Sequence, residues 1–71
     1  MHALRIRDLR EDMDLKQWQI AQMLHIHLNT YSMYELGIRS LPLDLAIRLA
    51  QFYKVSLDYL VGLTNEAGGR R

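Results

Sequence analysis

The 71-residue chain carries Lys+Arg 9 against Asp+Glu 8, a net charge of +1, and no cysteine. At 8.4 kDa it can build one small core, burying roughly 60% of its unfolded surface, with no room for a catalytic domain beside a second module. A disulfide framework and a thiolate metal site are excluded, and so small a net charge means that a polyanion would have to meet a basic face rather than a basic sum.

Apolar residues make up 49% of the chain and recur at helical spacing, with no period-two stretch long enough for a half-buried strand. An all-α domain is expected. Ile6, Leu9 and Met13 form one stripe of a first helix over about residues 3–13. Asp14-Leu15-Lys16 interrupts it, and Ile20, Ala21 and Leu24 then line a second helix over 17–24 that turns Trp18, Gln19 and Gln22 away from the core. After the turn His25-Ile26-His27, a third helix runs from Leu28 to Leu36 and ends at Gly37, the residue best suited to a left-handed C-cap. Pro42 suits the first position of a fourth helix, whose Leu45, Ala46, Leu49, Ala50 and Phe52 or Tyr53 give a wide buried stripe. Ser56 can cap a short fifth helix bearing Leu57, Leu60 and Val61, stopped by Gly62. Residues 1–63 are thus expected to form the domain, and 64–71, with Gly68-Gly69, a flexible C-terminal tail. No apolar run suits a membrane span or a secretory signal, which leads to the expectation of a cytoplasmic protein with no membrane partner.

Two short helices joined by a three-residue turn, at about residues 17–36, have the form of a helix-turn-helix, whose second helix lies in the major groove of DNA. The segments Ile6-Arg7-Asp8-Leu9-Arg10-Glu11, Leu15-Lys16-Gln17-Trp18-Gln19-Ile20-Ala21, Thr30-Tyr31-Ser32-Met33-Tyr34-Glu35-Leu36-Gly37-Ile38-Arg39, Pro42 followed by Leu45-Ala46-Ile47-Arg48-Leu49-Ala50, and Val55-Ser56-Leu57-Asp58-Tyr59-Leu60 carry a family pattern. Over about residues 5–63 they resemble the Cro/phage-repressor type helix-turn-helix family, also called the xenobiotic-response-element family. The resemblance implies a compact five-helix bundle acting as a repressor-like, sequence-specific transcriptional regulator on double-stranded DNA, as a homodimer. It implies that Gln17, at the start of helix two, binds a DNA phosphate, as the positive end of a helix favours. Arg39, after helix three, matches a loop that often contacts phosphate. Arg10 and Glu35 match an ion pair that bridges helix one to helix three. Lys16 replaces the customary Ser or Thr cap, at a cost of about 1 kcal/mol, and brings a charge near the phosphates.

Helix three sorts by its own geometry. At about 100° per residue, Leu28, Ser32, Leu36, Asn29 and Met33 share one face while Thr30, Tyr31 and Tyr34 turn to the core. The first group, joined by His27 at the helix entrance, matches the base-reading positions of the family. Asn29 can pair with adenine, Ser32 with a base or phosphate, and Leu28 and Met33 with thymine methyl groups. Here the chain departs from the family pattern: His27 stands where Ser or Thr is common, and Leu28, Met33 and Leu36 stand where polar or basic residues are usual.

That departure supports an alternative from another class, a protein-interaction module, antitoxin- or adaptor-like, using an apolar patch of Trp18, Leu28, Met33 and Leu36. With no further module in view, a dimer would use this domain itself, through Leu57, Tyr59, Val61 and Leu63 and the loop from Ile38 to Leu41. His25 and His27, with His2 far off in sequence, lack a carboxylate or thiolate at metal-ligand spacing. Neither a nucleophile-base constellation nor a phosphate-cradling glycine loop occurs, so no enzyme, cofactor or metal is expected.

Overall fold

The structure, a computed structural model, describes residues 4–63. Among them are five helices in chain order: α1 Ile6–Asp12, α2 Gln17–Leu24, α3 Leu28–Leu36, α4 Leu43–Tyr53 and α5 Leu57–Leu60. Their apolar stripes close on one core in which Ile6, Ile20, Leu24, Tyr31, Leu49 and Leu60 are fully buried. Ala21, Ala46 and Ala50 are buried as well. Such small residues let helix backbones approach closely. The bounds of α2 and α3 coincide with those the sequence predicts, and the expected tail 64–71 and His2 lie outside the described residues.

Four sequence expectations are corrected. The first helix begins at Ile6 rather than at residue 3, because Arg5 is its N-cap and is held by α5: the Arg5 N–H donates to the Leu60 carbonyl at 3.0 Å, and its guanidinium donates to the Tyr59 carbonyl at 2.8 Å. Met13, placed on the buried stripe by its spacing, is the C-cap of α1 and is exposed. Pro42 is the N-cap of α4 rather than its first helical residue, with an extended ψ of 150°. Val61 likewise follows α5 as its C-cap. Ser56 caps α5 as expected, its hydroxyl accepting from the Tyr59 N–H at 3.0 Å.

The connection between α2 and α3 is a tight reversal. His25 takes the left-handed conformation, φ 59°, and its N–H closes on Gln22. Arg48 from α4 then ties down the end of α2: its guanidinium donates to the Met23 carbonyl at 2.8 Å and the Leu24 carbonyl at 3.4 Å. Carbonyls at a helix end have no partner within the helix, so this cation satisfies them and favours the negative end of the helix dipole.

Candidate nucleic-acid interface

The candidate interface comprises the start of α2 and the outer face of α3, two helices packed against each other. Lys16, the N-cap of α2, is exposed, and its ammonium has no acceptor with which to cap the helix. Half of a reciprocal cap forms instead, since the Lys16 N–H donates to Gln19 Oε1 at 2.7 Å. The side-chain half is missing: the Gln19 N–H turns to the Lys16 carbonyl at 3.1 Å instead, and no capping side chain covers the N–H groups of Gln17 and Trp18. His27 is exposed and gives α3 no side-chain cap either.

Behind this surface lies a polar cluster that fixes α1, α2 and α3 to one another. Arg10 donates to Glu35 through two nitrogens, Nε to Oε2 at 2.7 Å and an Nη to Oε1 at 3.1 Å. A third guanidinium bond reaches the Leu15 carbonyl at 2.9 Å. Gln17 Nε2 donates to Glu35 Oε1 at 2.9 Å. The two charged side chains are 11% and 3% exposed. Burial pushes the Glu35 carboxyl up, and the Arg10 guanidinium, the nearby Tyr31 hydroxyl and the Gln17 amide outweigh it, so its pKa lies below the usual carboxylate value. The buried hydroxyls of Tyr31 and Tyr53 make no hydrogen bond of good geometry. Burial is also the main reason that both phenols titrate high, Tyr53 at about 12.

On the outer face of α3, Leu28 is 45% exposed and Leu36 66%. Asn29 is exposed, while Ser32 and Met33 are half-buried; Tyr31 and Tyr34 face inward and are buried. Trp18, at the start of α2, is 55% exposed. Arg39 is exposed in the loop after Gly37, which ends α3 in the left-handed conformation at φ 76°. The residues expected at a dimer surface divide. Leu63 is exposed, Leu57 and Val61 are half-buried, and Tyr59 lies under the Arg5 guanidinium, 4.2 Å from its ring centre. Among the described residues no group of three or more His, Cys, Asp or Glu is gathered as a metal site requires, and no helix is long and apolar enough to cross a membrane.

Periodicity did not reveal Arg48 or Gln19. The Lys16-x-x-Gln19 spacing carries a capping signal for Gln19, whereas nothing local marks Arg48 as a partner for α2, 24 residues earlier.

The geometry agrees with the sequence comparisons. The helix-turn-helix family model matches residues 6–60. The HTH-type transcriptional regulator YobD of Bacillus subtilis (strain 168) is 38% identical over 66 residues, 93% of this chain and 59% of the relative. The cryptic phage CTXphi transcriptional repressor RstR of Vibrio cholerae is 41% identical over 61 residues, 86% of this chain and 55% of the relative. The HTH-type transcriptional regulator ImmR of Bacillus subtilis (strain 168) is 34% identical over 58 residues, 82% of this chain and 46% of the relative. The chain thus spans about half the length of the curated relatives it matches. No solved structure gives a significant match. Five helices in this order, a tight turn between α2 and α3, and a family match across nearly all of the described residues place the chain in the helix-turn-helix family, of the Cro/phage-repressor type.

Proposed function

We propose that this chain is a sequence-specific, repressor-like transcriptional regulator that lays α3 in the major groove of DNA and acts in the cytoplasm as a homodimer, without enzymatic activity. The observation that carries the reading is the arrangement of α2 and α3: the outer face of α3 leaves Leu28, Asn29 and Leu36 exposed, and Lys16 and Gln17 stand at the start of α2, the helix packed against it. Phosphate contacts from Lys16, Gln17 and Arg39 would set position, and His27, Leu28, Asn29, Ser32 and Met33 would face base edges. A helix-turn-helix monomer covers only a few base pairs, so two copies on half-sites one helical turn apart would multiply the specificity. Of the residues expected at a dimer surface, Leu63 and Ile38 are exposed and Val61 half-buried, which leaves them open to such a pairing.

Binding of labelled duplexes tests the roles separately. Gln17→Ala is expected to weaken binding to all sequences alike. Asn29→Ala is expected to relax discrimination at one base position, costing about 1–3 kcal/mol there; unchanged specificity would mean that Asn29 does not read a base. The exposure of Trp18, Leu28 and Leu36 favours a second reading, a protein partner seated on that apolar patch. Such binding would scarcely respond to salt, whereas phosphate contacts weaken steeply as salt rises.

A further inference from the structure

We propose that the half-site read by this chain is rich in A·T pairs and that thymine 5-methyl groups, rather than guanine hydrogen bonds, carry its recognition. The inference rests on the DNA-binding reading above. The first observation concerns charge. α3, Leu28–Leu36, contains neither Lys nor Arg, the side chains that most often read guanine O6 and N7 in the major groove. Its single charged residue, Glu35, is 3% exposed and committed to Arg10 and Gln17. A carboxylate accepting from cytosine N4 is therefore missing from the surface as well. His27, exposed at the helix entrance, carries a compact imidazole in place of the two-pronged fork of an arginine.

The second observation is what α3 presents instead. Leu28 is 45% exposed, Asn29 is exposed and Met33 is half-buried. Leu28 and Met33 flank one face and stand about 7.5 Å apart along the helix axis, near the length of two base-pair steps. Asn29 lies between them in angle. Its amide can pair bidentately with adenine N6 and N7, and the thymine of that same pair shows its methyl group on the same groove edge. Against a G·C pair, Leu28 or Met33 would strip water from O6 or N4 groups and return no hydrogen bond. Attraction to A·T and penalty against G·C thus act in the same direction.

The test uses the full 71-residue chain. Duplexes selected from a random pool give the preferred half-site, and affinity is then compared for that duplex with thymine or with deoxyuridine, which lacks only the methyl group, at each position. An A·T-rich half-site is expected, with a loss of about fourfold for each contacted methyl removed. In Leu28→Ala the deoxyuridine penalty should disappear at one of those positions. Selected half-sites fixed by guanine, or a deoxyuridine duplex bound as tightly as its thymine counterpart, would overturn the proposal while leaving DNA binding intact. Failure to bind any duplex at low salt would overturn the DNA-binding reading itself. The comparison between thymine and deoxyuridine needs only the unaltered protein, so it does not depend on how well a variant folds.

Discussion

Glu35 ties three helices together through one carboxylate, accepting from Arg10 and Gln17 while itself only 3% exposed. Removing one member of a buried pair strands the other charge. Glu35→Ala is therefore expected to cost about 3 kcal/mol at pH 7, read as a lower urea midpoint; a loss under about 1 kcal/mol, the level of an exposed pair, would contradict this role. The pair also sets a pH dependence. Because the Glu35 pKa is lowered in the folded state, its contribution to stability is fully present above the unfolded value of about 4.3 and is lost as pH falls through the lower folded value. The midpoint should hold while pH falls from 7 to about 5 and drop below about 4, with a smaller drop in Glu35→Ala. The Arg10–Glu35 partnership was legible in the sequence only through the family resemblance. The bond from Gln17 to Glu35, 18 residues apart, was not legible at all, because helical periodicity gives the face a residue occupies and leaves its partner open.

At the scale of elements, legibility followed the locality of the signal. α2 and α3 were delimited correctly because their boundaries are written nearby: Gly37 supplies the left-handed cap of α3, and Asp14-Leu15-Lys16 breaks the apolar pattern before α2. The start of α1 was misplaced because it is decided by α5, which holds Arg5 through the carbonyls of Tyr59 and Leu60. Among the described residues, three non-glycine residues adopt the left-handed conformation, Asp14, His25 and Lys54, and each gives up about 1 kcal/mol for it. Lys54 is exposed, caps α4 at φ 60° and lies outside the proposed interface. Lys54→Gly should therefore raise stability by up to about 1 kcal/mol, seen as a higher Tm by calorimetry. A fall in Tm would show that the lysine side chain contributes more than its backbone strain removes. The outer face of α3 was read correctly from geometry, since the 100° rotation per residue separates Tyr31 and Tyr34 from Leu28 and Asn29 without any tertiary information.

For the whole molecule, the net charge of +1 resolves into a spatial arrangement. Glu35 and Arg10 cancel each other inside, whereas Lys16 and Arg39 stand exposed where the phosphate contacts are proposed. On the proposed reading, a protein so arranged would have weak long-range attraction to DNA and would depend on shape and apolar fit along α3. The two proposed charged contacts per protomer, Lys16 and Arg39, would set a modest electrostatic contribution, which is itself measurable. Fluorescence anisotropy of labelled duplexes titrated with the chain across a range of salt concentrations tests this directly. Binding is expected at low salt, with the logarithm of the association constant falling against the logarithm of salt at a slope of about −2 per protomer and about −4 for a dimer on its operator. Absence of binding at low salt, or a slope near zero, would contradict DNA as the partner of this surface.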